Sequence, residues 1–221
     1  MESGDFVYID YIGRVKDTKE IFDLTKEDVA KKEGVYNPNY KYKPVPIIID
    51  ADFILPGLNE EIKKMKVGEK KKIEIKPEKA FGERNPNLVQ SIPLSKFKEQ
   101  NIKPEIGAMI NIGGLKGRIV SISGGRVQID FNHPLAGKTL EYEIEVLKKI
   151  KDTKEKIEAI VFYFTSIEKE DIEVLVKEKE VEIVYKKKDY LLSRTAKELI
   201  AKTIKKWVKP IERVKFVEIF E

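Results

Sequence analysis

The sequence contains no cysteine and a single histidine, His133. Without cysteine there can be no disulfide, thiolate nucleophile, zinc ribbon or iron–sulfur cluster. One histidine excludes almost every histidine-based metal site and leaves room for at most one histidine-dependent triad. A phosphate loop is also missing, because Gly113-Gly114 is followed by Leu115 rather than by Lys and Ser or Thr. These gaps leave few classes of metal, redox or nucleotide chemistry.

Long apolar runs are missing as well, since no stretch approaches the roughly 18 residues of a membrane span. The first residues are acidic and lack the apolar segment of a secretory signal. We therefore expect a soluble cytoplasmic protein. The 43 basic residues barely exceed the 38 acidic ones, for a net charge of +5. Such a balance favours solubility over a dedicated nucleic-acid surface.

Hydrophobic periodicity predicts alternating strands and short helices in the first 150 residues. Strands are expected over residues 6–15, 70–76 and 140–150, and a helix over 58–66 after Pro56-Gly57. Strands over 117–123 and 126–131 flank Gly124-Gly125, which favours a hairpin because a type I′ turn needs positive φ at both central residues.

The remaining residues predict a compact α+β domain. A charged linker is expected over 151–156. The pattern then predicts alternating elements, namely strand 157–164, helix 165–177, strand 181–185, helix 191–208 and strand 214–220.

Several motifs occur in a characteristic order along the chain. They are Tyr11 in the first strand, Phe22-Asp23, Ile54-Leu55-Pro56-Gly57-Leu58, Gly68-Glu69-Lys70, Ala80-Phe81-Gly82 and Tyr142 in the closing strand. In this order the chain resembles an FKBP-type peptidyl-prolyl cis–trans isomerase. The segment Asn132–Gly137 is similar to the return point of the SlyD-like branch, where an insert-in-flap domain interrupts the fold. With its further C-terminal segment, the chain resembles the long archaeal members.

The resemblance implies an α+β fold, an FKBP-like antiparallel sheet around a short helix that is interrupted by a small β-rich insert and followed by an α+β domain. The isomerase domain is expected over 1–83 and 135–150. A chaperone insert would occupy 84–134. The C-terminal domain, 151–221, has no assigned role.

The resemblance also implies a catalytic pocket for rotation of X–Pro bonds. Its residues would be Tyr11, Phe22, Asp23, Ile54, Leu55, Leu58, Phe81 and Tyr142. The Leu55 N–H would hold a substrate carbonyl and Asp23 would act near the rotating one. No cofactor and no metal are expected. Two residues depart from many relatives, since Leu58 stands in place of a tryptophan and Phe81 in place of a tyrosine. The arm over 24–46 is longer than in minimal members and is expected to cover or edge the pocket.

The insert carries more apolar side chains than about 50 residues can bury. They are Ile92, Phe97, Ile102, Met109, Ile110 and Leu115. We expect some of them to form an exposed patch that binds unfolded chains. The alternative is that they simply make the small core of the insert.

Two other functions remain open at the level of sequence. One is a non-catalytic holdase on the same scaffold. The other is a ribosome- or RNA-associated protein, suggested by the basic pI of about 9.0 and the hairpin at 117–127. The expected partners are unfolded or proline-containing polypeptides, with neither membrane nor nucleic acid, and a second copy of the chain bound through the C-terminal domain. His133 is expected to be a hydrogen-bonded hinge residue at the domain junction.

Overall fold

The first sheet is antiparallel and is built from both ends of the first 150 residues. A computed structural model describes residues 1–186 and 192–218. The elements before the insert are β1 (Phe6–Val15), β2 (Ile21–Leu24), α1 (Glu27–Lys32), β3 (Val45–Ile48), α2 (Pro56–Lys64) and β4 (Lys70–Ile75).

A small β unit follows, and its hairpin is the one predicted from Gly124-Gly125. Its elements are β5 (Val89–Pro93), α3 (Leu94–Glu99), β6 (Met109–Ile112), β7 (Leu115–Ser123) and β8 (Arg126–Asp130). The strands form one antiparallel sheet in the order β5-β8-β7-β6. Both turn glycines have positive φ, +57° and +72°, as a type I′ turn requires.

The chain then returns to the first sheet as β9 (Leu140–Ile150), in agreement with the predicted closing strand. The sheet order is β2-β1-β9-β4, with β3 also paired to β1. One face packs on α2, whose Leu58 and Ile62 are buried against the sheet. This is the antiparallel sheet around a short helix that the α+β prediction described.

The last part of the described chain is a second α+β layer. Its elements are α4 (Thr153–Thr165), β10 (Ile172–Lys177), β11 (Glu180–Tyr185), α5 (Arg194–Trp207) and β12 (Arg213–Glu218). The strands β10 and β11 form a hairpin, and β12 lies parallel to β11. The predicted helix start at Leu191 and strand end at residues 219–220 lie outside the described residues.

Three sequence predictions in this region were wrong. Residues 157–164 form most of a helix, not a strand, and the helix takes in most of the expected linker. Asp152 caps it by accepting a hydrogen bond from the Glu155 N–H at 2.8 Å. The helix predicted over 165–177 is also absent, because α4 ends at Thr165, where Ser166 adopts φ +56°. Residues 172–177 form strand β10 instead.

The C-terminal layer shares its core with the first sheet. Phe6, Ile48 and Ile150 of that sheet are buried together with Ile157 and Ile160 of α4. The insert, in contrast, has a small core of its own, formed by Phe97, Ile119, Val127 and Ile129. The first sheet and the C-terminal layer are therefore packed as neighbours over a common apolar core.

Candidate active site

The eight side chains predicted for the site all line one pocket between the first sheet and α2. The pocket has a volume of about 910 Å³, within the range of about 300–1,000 Å³ common for ligand sites. They are Tyr11, Phe22, Asp23, Ile54, Leu55, Leu58, Phe81 and Tyr142.

Three aromatic rings form the wall on the sheet side. Tyr142 is packed against Tyr11 with ring centroids 5.9 Å apart, and against Phe22 edge-on at 5.6 Å. Gly13 lies opposite Tyr142 in the strand register. A Cβ there would come within 2.8 Å of the Phe22 ring and 3.0 Å of the Tyr142 ring. Glycine at this position therefore allows both rings to close over β1.

The helix α2 supplies the opposite side and the floor. Pro56 stands at its first turn, where its missing N–H has no helical partner to lose. Leu58 is only 4% exposed. Gly57 lets the helix approach the sheet, because a Cβ would lie 2.5 Å from Ile75. Within the described residues, no backbone carbonyl accepts from the N–H of Leu55, which precedes the helix.

Hydrogen bonds from two tyrosines converge on Asp23 at the side of the pocket. The Tyr11 hydroxyl donates to one carboxylate oxygen at 2.8 Å, and the Tyr40 hydroxyl reaches the other at 3.5 Å. Burial, together with the negative charge of Asp23, raises the pKa of Tyr11 well above its usual value. Burial raises the pKa of Tyr142 in the same way. Both phenols therefore stay neutral, and Tyr11 remains a donor.

The long arm after β2 contacts Asp23 at the side of the pocket through Tyr40, although none of residues 24–46 lines the cavity. Its tyrosines pack on one another, with Tyr36 stacked on Tyr42 at 5.5 Å and Tyr40 edge-on to Tyr42 at 4.9 Å. Lys43 of the arm is paired with Glu168 in the C-terminal layer. The packing of Tyr40 on Tyr42 and the ion pair between Lys43 and Glu168 thus hold Tyr40 near Asp23.

Several residues that line the pocket were not predicted from the sequence. Phe53 stacks on Tyr163 of α4 at 3.9 Å, and its carbonyl accepts a 2.7 Å hydrogen bond from the Tyr163 hydroxyl. An aromatic residue directly before the Ile54-Leu55 motif was the available signal. Arg118 reaches the pocket from the insert, and no local pattern pointed to it.

His133 contributes more than the predicted hinge. Its Nδ1 accepts from the Leu135 N–H at 3.1 Å, as a hydrogen-bonded junction residue would. Its ring also stacks on Phe81 with centroids 4.2 Å apart and lines the pocket. Phe81 thus lacks the hydroxyl of a tyrosine, and its ring is backed by a second aromatic ring, that of His133.

The six apolar residues of the insert do not all share one environment. Phe97 is 5% exposed and belongs to the core of the insert, so it is not part of an exposed patch. Ile102, Met109 and Leu115 are exposed. An insert groove of about 710 Å³ is lined by Ile92, Ile102, Met109 and Ile110, with Phe97 at its base.

One family model and several named proteins resemble this chain. The family described as "FKBP26, IF domain" matches residues 90–135. The chain is 36% identical over 146 residues to the short-type peptidyl-prolyl cis-trans isomerase of Methanocaldococcus jannaschii, covering 66% of this chain and 92% of that protein.

Bacterial relatives show the same relation. Identity is 33% over 132 residues to the FKBP-type 16 kDa peptidyl-prolyl cis-trans isomerase of Escherichia coli, covering 58% of this chain and 86% of that protein. It is 33% over 118 residues to the FKBP-type isomerase SlyD of Helicobacter pylori, covering 51% and 63%. With 36% identity over 92% of the Methanocaldococcus jannaschii protein and 33% over 86% of the Escherichia coli one, the chain belongs to the FKBP-type peptidyl-prolyl cis–trans isomerase family.

Proposed function

We propose that this protein is a peptidyl-prolyl cis–trans isomerase that twists X–Pro bonds in the aromatic pocket and holds unfolded clients on its insert. The observation that carries the proposal is the convergence of Tyr11, Phe22, Phe81 and Tyr142 around one cavity, with Leu58 as its floor. The names of the relatives support the same activity.

Rotation of a prolyl bond suits such a pocket because no bond is broken and no proton must move. The barrier of about 18–20 kcal/mol reflects the partial double bond of the amide. Twisting removes the resonance and reduces the charge separation of the amide. An apolar, water-poor wall therefore favours the twisted state over the planar one. In the proposal, the Leu55 N–H holds a substrate carbonyl and the Tyr11–Asp23 pair lies beside the rotating one.

The insert groove is proposed as the client site. Ile102 and Met109 are 47% and 56% exposed, and flexible methionine adapts to varied apolar side chains. Proposed clients are unfolded or proline-containing polypeptides in the cytoplasm, where new chains fold. We also propose that two copies pair through the C-terminal layer and that the chain is of the long archaeal type. The proposed domain limits lie at residues 83, 134 and 150.

Magnetisation-exchange NMR on a short Ala-Leu-Pro-Phe peptide tests the catalytic part. The full chain should accelerate cis–trans exchange, whose uncatalysed time is tens of seconds or more. A chain that suppresses aggregation of an unfolded protein without any acceleration would be a holdase and would contradict the proposal.

The same preparation tests the role of the insert. The variant Ile102→Ser/Met109→Ser should slow catalysis of a proline-limited refolding reaction by about tenfold, while peptide exchange falls much less. The control Val67→Ser/Val176→Ser removes apolar side chains of similar exposure elsewhere and should change neither rate. Equal loss of both activities in the insert variant would refute the division of labour.

A further inference from the structure

The outer face of the insert sheet carries two cations, Lys116 and Arg118. On β7, Lys116, Arg118 and Val120 alternate with the buried residues Gly117 and Ile119. Arg118 is paired with Met109 on β6 and with Asp130 on β8. Because residues directly opposite in a ladder share a face, Met109 and Asp130 belong to this outer face.

This face closes one side of a second groove, which we call the basic groove. It has a volume of about 680 Å³ and runs between β7 and the return segment that carries His133 and Pro134. Arg118, His133, Pro134 and Lys138 line both the basic groove and the aromatic pocket. At its other end, Met109 belongs to both the basic groove and the insert groove. The three cavities are thus neighbours that share lining residues between the pocket and the proposed client surface.

The charged side chains that line the basic groove are mostly cations. In the basic groove the one carboxylate, Asp130, is taken up by Arg84 at 2.7 Å and by Asn132. Burial alone would raise the pKa of Asp130, but these hydrogen bonds lower it below its usual value.

The remaining cations of the groove have no such partner. Among residues 1–186 and 192–218, no carboxylate forms an ion pair with Lys116, Arg118 or Lys138. The acids Glu20, Asp23 and Asp52 line the aromatic pocket, and none of them lines the basic groove.

We propose that the basic groove selects client segments with an acidic residue a few positions from the proline, through Arg118 and Lys138. This inference rests on the proposed isomerase function and defines its substrate preference. An extended chain advances about 3.3 Å per residue, so a segment whose proline occupies the pocket would pass the shared cations with its flanking residues. Exposed charges of this kind act on encounter and register, and salt screens them.

The test is a set of peptides of thirteen residues with one central proline. Glu, Gln or Lys is placed in turn at each of the positions on either side, and kcat/KM for cis–trans exchange is measured. At one or more positions the wild type should prefer Glu over Gln by about threefold and disfavour Lys. High salt should reduce this ratio toward one.

Matched variants locate the preference. In Arg118→Gln/Lys138→Gln the ratio of Glu to Gln should fall toward one. In Lys98→Gln/Lys103→Gln, which removes the same charge from exposed positions outside the groove, the ratio should stay at the wild-type value. Because each ratio compares two peptides on one variant, a general loss of rate does not mimic the effect.

Two results would overturn the inference. One is a ratio of one at every position in the wild type, and the other is an undiminished ratio in Arg118→Gln/Lys138→Gln. In both cases acceleration of the Gln peptides would leave the isomerase function standing. No acceleration of any peptide by the wild type would instead overturn the proposed function and this inference together.

Discussion

At the scale of single residues, the pair Tyr11–Asp23 distinguishes this pocket from ordinary core. Tyr11 donates to Asp23 at 2.8 Å in a setting where most other walls are apolar. Asp23→Ala leaves the phenol without an acceptor, and Tyr11→Phe keeps the ring but removes the donor. Both should lower kcat/KM on the tetrapeptide by about fivefold, since such a bond contributes about 1 kcal/mol. Tyr36→Phe, on an exposed ring of the arm, is the matched control and should not change the rate.

The pH dependence expected for the site follows from the raised pKa of Tyr11. A raised phenol pKa means that Tyr11 ionises later than a free tyrosine, whose pKa is 10.0. The Tyr11 hydroxyl therefore stays protonated and remains a donor. We expect its ionisation to leave the pH profile of kcat/KM unchanged up to about pH 10. A loss of kcat/KM in the wild type with an apparent pKa between about 8 and 9.5 that disappears in Tyr11→Phe would contradict this assignment.

At the scale of elements, α4 of the C-terminal layer supports the rim of the pocket. Tyr163 stacks on Phe53 and donates to its carbonyl, and Phe53 packs against the cores of both layers. Tyr163→Ala should raise KM for the tetrapeptide about threefold with little change in kcat, because the aromatic contact is worth about 0.5–1.5 kcal/mol.

The conservative variant Tyr163→Phe retains the stack and should stay within about twofold of wild type. Phe53→Ala should reproduce the effect of Tyr163→Ala, and the two changes combined should not add fully. An unchanged KM in Tyr163→Ala, in a protein that retains its thermal stability, would show that α4 does not support the site.

At the scale of the whole molecule, the elements of the isomerase part were predicted from the sequence more accurately than those of the C-terminal layer. The closing strand 140–150 alternates over its length, and alternation is a direct sign of a strand with two different faces. Six of the eight residues over 157–164 are β-branched or aromatic, which suggested a strand. They form a helix that packs on the first sheet and on the other elements of the C-terminal layer. A helix that is buried on several sides lacks the 3.6-residue period of apolar side chains that identifies a helix in a sequence.

The candidate site shows the same limit. Its eight predicted residues lie in motifs whose order could be read along the chain, and all eight line the pocket. Phe53, His133 and Arg118 were not predicted as part of it. Their place depends on α4, on the return segment and on the insert, and therefore on packing between distant segments that no local pattern encodes.

The most direct test of the central claim is to locate the proline of a bound substrate. Transferred and intermolecular NOEs are measured between a proline-containing peptide and the full chain with labelled aromatic rings. The account predicts contacts from the prolyl ring protons to Phe22, Phe81 and Tyr142 while the peptide undergoes accelerated exchange. Accelerated exchange with prolyl contacts confined to residues outside this pocket would contradict it.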